Sequence, residues 1–270
     1  MSGMAAATPL RRPPPPSLND ACALFLDVDG TLLDFAVQPD RVSLPAGALP
    51  IIQAISDRLQ GAVALVSGRP LEQLDRLFSP LQLPAAGLHG HQFRGGAASR
   101  PQETSPALNR FKREAARFAG EYPGVAVEDK GSHVALHWRA APQAADYVRA
   151  FAETLIGNIE GYRLQPGDHV VELVPAHVDK GRAVVTMMRD PPFSGRTPVF
   201  VGDDLTDEYG FEAVHKLGGW SVLVGERESS HATYALADPA AVHVWLRAQC
   251  PAEAPPAGAL LPGSDDGETA

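Results

Sequence analysis

Short, wholly apolar runs alternate with segments of helical periodicity along most of this chain. ACALFLDVD (21–29), a helical stretch over 45–59, GAVALVSG (61–68), a second helical stretch over 70–79 and PAAGLHG (84–90) follow one another. After residue 177 the rhythm returns, with a helix through DKGRAVVTMMRD, a strand TPVFVGDD, a helix through DEYGFEAVHKLG and a strand WSVLVG. Runs without polar interruption are strands buried on both faces, as in a parallel sheet flanked by helices. The pattern predicts one doubly wound α/β core in two halves, over 19–102 and 175–250.

Between the halves the texture changes. A helical stretch at 105–119 leads into VAVEDKGSHVALHWR, a second one covers 142–158, and YRLQPGDHVVELVP closes the segment. In HVALHWR, His133, Ala135, His137 and Arg139 share one face, and Val134, Leu136 and Trp138 share the other. Such alternation belongs to an antiparallel, half-buried strand, so residues 103–174 read as an α+β cap inserted into the core. Residues 1–18, with their RRPPPP, and 251–270, rich in Pro, Gly and acidic residues, read as disordered tails.

Composition narrows the partners. With 270 residues, 44% of them hydrophobic, the chain can bury a large core. A formal net charge of −9 and the lack of a basic block argue against nucleic acid and leave a small molecule as the expected ligand. No stretch approaches the roughly 18 apolar residues of a membrane span, and the N-terminus lacks the apolar segment of a secretory signal. Two cysteines, Cys22 and Cys250, are too few for a disulfide framework. A cytoplasmic monomer is expected.

In open α/β sheets ligands bind outside the carboxyl ends of the strands, and four such places carry reactive residues. Asp27 and Asp29 close the first apolar run. Asp27 can attack phosphorus if a metal offsets the repulsion between carboxylate and phosphate, and Asp29 can serve as general acid and then base. Ser67, in ALVSGRP, offers an anion site at a strand-to-helix junction or an ordinary helix entry; Arg69 is a ligand contact or a structural ion pair. Lys180 opens a helix, where a lone lysine ordinarily faces solvent, but the site needs a cation there. VFVGDDLTDE supplies Asp203 as the expected direct ligand of a hard cation such as Mg²⁺, with Asp204 and Asp207 orienting waters or Lys180. A favourable helix dipole accounts for Asp207 and Glu208 as an acidic first turn, and accounts poorly for Asp203 and Asp204.

DVDGTL, VSGR, Lys180 and GDDLTDE, in that order, resemble the four motifs of the haloacid dehalogenase superfamily of phosphotransferases. VEDKGSHVALHWR, HVVELVP and VFVGDDLTDEYGF further resemble the trehalose-6-phosphate phosphatases, over roughly residues 22–225. The resemblance implies a Rossmann-like core with a mixed α/β cap, and Mg²⁺-dependent hydrolysis of trehalose 6-phosphate. It implies a metal held by Asp27, the backbone carbonyl of Asp29 and Asp203, with the phosphoryl group held by Ser67 and Lys180. Sugar contacts fall on Glu128, Lys130, Arg139 and Glu172, with Arg69 nearby. One departure stands out, because GLHGHQFR carries Gln92 where the family favours glutamate and Phe93 where it favours a basic residue. Gln92 can hydrogen-bond but carries no charge, and His89 either touches the mouth of the site or caps a turn, the second being the preferred expectation. The alternatives are a phosphatase for another sugar phosphate and a non-catalytic domain of a trehalose-synthesising assembly.

Overall fold

Residues 12–34, 43–94, 106–157 and 159–250 are described by the computed structural model. In chain order the strands are β1 (Cys22–Leu26), β2 (Val63–Val66), β3 (Ala85–Gly87), β4 (Gln92–Arg94), β5 (Ala126–Asp129), β6 (Val134–His137), β7 (Tyr162–Gly167), β8 (Val170–Pro175), β9 (Thr197–Gly202), β10 (Trp220–Val224) and β11 (Tyr234–Leu236). The helices are α1 (Ala48–Arg58), α2 (Leu71–Phe78), α3 (Pro106–Glu121), α4 (Ala145–Ile156), α5 (Lys180–Met187), α6 (Glu208–Lys216) and α7 (Pro239–Arg247). None of them is long and apolar enough to cross a membrane.

The apolar runs become the middle of a seven-stranded sheet, ordered β11-β10-β9-β1-β2-β3-β4 and parallel except at β3–β4. Every residue of β1 and β2 is buried, because helices cover both faces. From β1 the chain winds one way to β2 and β3, and from β9 the other way to β10 and β11. Right-handed crossovers in opposite directions put α1 and α6 on opposite faces, where α1 packs with α7 and α5 packs with α6. Phe25 stacks on Phe193 with centroids 5.3 Å apart, and Phe200 meets Phe211 edge-on at 5.8 Å. All four rings are fully buried, each stabilising the core by roughly 1.5–3 kcal/mol. The fold is thus the doubly wound α/β core that the hydrophobic pattern predicts, with β4, β11 and α7 added to it. Those strands are three residues long, too short for a periodic signal, whereas α7 is announced by the helix-start pair Asp238-Pro239.

The second sheet, β5-β6-β8-β7, is antiparallel throughout and owns a separate hydrophobic cluster. Leu108, Phe111 and Ala115 of α3 and Val148 and Ala152 of α4 cover Val134, Leu136, Val171 and Leu173. Period-two alternation sends their neighbours to the opposite face, where Glu128, Ala135, Glu172 and Gln165 stand side by side across the four strands. Sequence alternation suggests that this polar face meets solvent, yet Ala135, Gln165 and Glu172 are buried. The face is turned toward the core, and the cavity between them is described below.

Residues 12–18 correct the expectation of a disordered tail over 1–18. Arg12 donates to the carbonyls of Arg227, Ser230 and Ala232. The Pro13 carbonyl accepts from Ala235 N, Pro16 O accepts from Trp245 Nε1, and Leu18 N donates to Gln249 Oε1. Proline lacks an N–H but keeps its carbonyl, so a proline run can lie along the edge strand β11 and accept from it. Residues 1–11 and 251–270 lie outside the described residues.

Two glycines permit close backbone approach where it matters for the site. A Cβ on Gly181 would collide with the Tyr209 carbonyl oxygen, and one on Gly202 with the Asp207 carboxylate. Helices α5 and α6 therefore touch through backbone. Gly181→Ala must force them apart, and we expect a loss of about 1–3 kcal/mol in urea unfolding; an unchanged midpoint would show that the α5–α6 contact has slack.

Candidate active site

Asp27, Ser67 and Asp203 follow the ends of β1, β2 and β9, which are neighbours in register at Leu26, Leu65 and Val201. Parallel pairing therefore delivers all three to one edge of the sheet. The winding direction reverses between β1 and β9, the position at which open α/β sheets bind ligands.

At the centre lies Lys180. Its Nζ donates to Asp27 Oδ1 at 2.7 Å and to Asp207 Oδ1 at 2.6 Å, and all three residues are buried. Burial disfavours the ammonium, but the carboxylates of Asp207 and Asp27 outweigh it and hold the lysine protonated. The other Asp207 oxygen accepts from the backbone N–H groups of Asp203 and Asp204 at 3.0 and 2.9 Å. Asp207 is therefore an inward-facing anchor for Lys180, one of the two roles expected for it, and not merely an acidic first turn. Asp204 caps the same turn, accepting from Leu205 N, and does not hold Lys180. Glu208 pairs with Arg227.

Three carboxylates, Asp27, Asp203 and Asp207, offer oxygens within 4.8 Å of one another, against one buried ammonium. Burial and the excess negative charge show together in the proton affinities of Asp27 and Asp203. Burial pushes Asp27 up to about 7, Asp207 adds to the rise and Lys180 opposes it. Burial with the charges of Asp27 and Asp207 pushes Asp203 up to about 10. Thr31 Oγ1 donates to Asp203 Oδ1 at 3.1 Å. Oxygen donors carrying unbalanced charge suit a hard divalent cation. Lys180 and two N–H groups already engage Asp207, which leaves Asp27 and Asp203 as the candidates for direct ligation.

Asp29 receives both prongs of the Arg69 guanidinium, at 2.7 and 2.6 Å. Arg69 thus forms an ion pair, while also lining the cavity. Its backbone N–H donates to Ser67 Oγ at 3.1 Å, which orients the hydroxyl.

The cap closes over these groups. Lys130 Nζ donates to Glu172 Oε1 at 2.6 Å and to the Gly68 carbonyl at 3.3 Å, and lies 3.6 Å from Glu128. His89 Nε2 reaches the other Glu172 oxygen at 2.8 Å. Burial raises the Glu172 pKa, yet Lys130 and His89 more than reverse this and hold it well below the usual carboxylate range. His89 is therefore a buried tie between core and cap, correcting the expected turn cap. Glu128 pairs with His137 at 3.1 Å, and Arg139 with Asp168 at 2.7 Å. Between cap and core is a cavity of about 630 Å³ lined by Asp27, Asp29, Ser67, Arg69, Lys180 and Asp204 from the core and by Glu128, Lys130, Arg139 and Glu172 from the cap. Asp203 and Asp207 are not in its lining.

Sequence reasoning misses Thr31, His137, Gln165 and Asp168. Gln165 had a signal, since it is an alternate residue of an amphipathic strand; Thr31 in DGT had none beyond its neighbours. Gln92 accepts from Leu71 N at 2.9 Å and Phe93 packs on the core, so both departures from the family pattern are structural here.

His133 is fully buried behind this layer. Burial, reinforced by His89, pushes its pKa down to about 3, while an unfolded histidine titrates near 6.5. Between these values the unfolded chain takes up a proton that the folded one refuses, so stability is full above about pH 6.5 and falls toward pH 3. In urea unfolding at pH 7, 6 and 5, His133→Gln is expected to reduce this slope, by up to about 1.4 kcal/mol per pH unit; parallel wild-type and variant profiles would rule the effect out.

The family model described as trehalose-phosphatase matches residues 25–240. A "Probable trehalose-phosphate phosphatase" of Sinorhizobium fredii is 42% identical over 209 residues, 76% of this chain and 78% of the relative. A trehalose-6-phosphate phosphatase of Escherichia coli is 38% identical over 233 residues, 86% of this chain and 87% of the relative. Among solved structures, the C-terminal domain of C. albicans trehalose-6-phosphate phosphatase superposes with a TM-score of 0.75 at 18% identity, covering 87% of this chain and 97% of that one; this last likeness concerns the fold.

Proposed function

The chain belongs to the trehalose-phosphatase family, and from that premise we propose that it hydrolyses trehalose 6-phosphate to trehalose and phosphate through an aspartyl phosphate on Asp27. The observation that carries this reading is the shared cavity: a nucleophile-bearing floor from the core meets a charged, sugar-sized roof from the cap.

The phosphoryl group enters at the strand ends, where Ser67 Oγ and Lys180 Nζ bind its oxygens. Lys180, already bonded to Asp27, aims that carboxylate and favours its ionised form against burial. An Asp27 oxygen attacks phosphorus while the bond to the sugar oxygen breaks, and Asp29, as general acid, passes a proton to the leaving alkoxide. To do so Asp29 trades one of its two Arg69 hydrogen bonds for the sugar oxygen. Asp29, now a base, takes a proton from water, which attacks the phosphorus and frees Asp27. Asp27, the Asp29 backbone carbonyl and Asp203 would hold Mg²⁺, which would supply the charge that offsets repulsion between the Asp27 carboxylate and the phosphoryl oxygens.

Glu128, Lys130, Arg139 and Glu172 recognise the disaccharide, since charged donors and acceptors form the strongest hydrogen bonds to hydroxyls. Each already has a partner, so they are held in place before the sugar arrives. The site draws every one of these residues from a single chain, and the two free thiols fit a cytoplasmic enzyme.

Phosphate release from trehalose 6-phosphate with Mg²⁺ tests the substrate, run beside glucose 6-phosphate, sucrose 6-phosphate and an EDTA control. Release from the trehalose ester alone, abolished by EDTA, is expected; equal rates on all three esters would overturn the substrate. Asp27→Asn should keep the fold and lose turnover, and appreciable release by it would exclude Asp27 as nucleophile. Glu128→Ala should lower kcat/KM for trehalose 6-phosphate about 10–100-fold, the worth of a charged hydrogen bond, and leave an aryl phosphate unaffected; equal losses on both would remove Glu128 from sugar recognition.

A further inference from the structure

Asp203 belongs to a loop whose main chain is gripped from two sides. Asp207 accepts the N–H groups of Asp203 and Asp204. Arg227 donates to the carbonyls of the same two residues, at 3.0 Å to Asp203 and 3.2 Å to Asp204, and pairs with Glu208 at 2.6 Å. Asp207 is fixed by Lys180, but Arg227 lies on the connection between β10 and β11, which has no helix or strand of its own. That connection is tied down from elsewhere. The Arg12 guanidinium donates to the carbonyls of Arg227 (3.0 Å), Ser230 (2.8 Å) and Ala232 (2.9 Å). The backbone N–H of His231 also donates to Glu208 at 2.8 Å. Arg12 is itself anchored by the strap that follows it, through the bonds of Pro13, Pro16 and Leu18 to β11 and α7. This strap precedes the family-matched residues, which begin at 25.

We propose that Arg12 and Arg227 are positioning residues for the metal ligand Asp203: Arg227 grips the Asp203–Asp204 main chain, and Arg12 grips the loop that carries Arg227. The proposal rests on the reading that Asp203 binds Mg²⁺. Its physical basis is that a carboxylate ligand needs a fixed backbone, because displacements of about 0.5 Å spoil coordination. The planar fork of Arg12 spreads its N–H donors over three separate backbone carbonyls in a fixed geometry, whereas a lysine would offer its donors from one point at the end of a flexible stem.

The sign of the effect makes the proposal testable. Arg227 is a cation close to a cation site, so by charge alone its removal would strengthen Mg²⁺ binding. Positioning requires the opposite. Mg²⁺ binding to the full chain would be measured by titration calorimetry for wild type, Arg12→Gln, Arg227→Gln, the double variant and Asp203→Asn, with circular dichroism to confirm folding. We expect Arg227→Gln to weaken binding about tenfold or more and Arg12→Gln about threefold to tenfold, in the range of groups that orient metal ligands. The double variant should bind no more weakly than Arg227→Gln alone, because Arg12 acts through Arg227. Unchanged or tighter binding in folded Arg227→Gln, with binding lost in Asp203→Asn, overturns the proposal and leaves the metal reading standing. Fully additive losses overturn the relay between the two arginines. A wild type that does not bind Mg²⁺ overturns both the proposal and the metal reading.

Discussion

The buried ammonium of Lys180, shared between Asp27 and Asp207, is the interaction on which the site depends. An isolated charge at such a depth is strongly disfavoured, and removing one partner of a buried pair typically costs about 3–5 kcal/mol. Here the charge is tolerated because two carboxylates share it: Asp207 is bonded on to the two N–H groups of the β9 loop, and the Asp27 main chain is held by its N–H donating to the Val201 carbonyl of β9. The same three side chains therefore fix the first helix after the cap, the loop carrying Asp203 and the end of β1. Gly181 and Gly202 are part of this constraint, since a side chain at either would occupy the space that α6 or Asp207 fills. Packing and chemistry are not separable at this point.

The cap is joined to the core by charge rather than by a shared hydrophobic interior. Its apolar cluster closes on itself, and the contacts across the divide are polar ones such as Lys130 to Gly68, His89 to Glu172 and Gln165, and Arg163 to the Val178 carbonyl and the Tyr209 ring. Polar contacts of this kind can be exchanged for sugar hydroxyls and water. An arrangement of this kind suits a ligand that must enter, be surrounded and leave.

Much of this was legible in the sequence for a topological reason. Asp27, Ser67 and Asp203 lie at the ends of apolar runs, and a parallel sheet brings such ends to one edge however far apart they are in the chain. Glu128, Lys130, Arg139 and Glu172 were legible by resemblance to the family, and they do line the cavity. Which of its two expected partners, water or Lys180, Asp207 takes was not, because an acidic residue in a first helical turn looks the same whether it faces water or a lysine. Nor was the role of His89, which depends on a left-handed backbone (φ 57) and on a glutamate 83 residues away. The ordered strap at 12–18 was hidden for a related reason, as its partners Trp245 and Gln249 lie 229 and 231 residues along from the residues they bind. Composition speaks only of local preference.

The cross-strand row of Glu128, Ala135, Glu172 and Gln165 bears on how such proteins diversify. Its members belong to a sheet whose opposite face carries the apolar cluster, and none of them lies in either hydrophobic cluster. Exchanges in that row can alter which alcohol is accepted while the nucleophile, the buried lysine and both interiors stay as they are. Substrate preference is thus free to drift over evolutionary time on a reaction centre that is not.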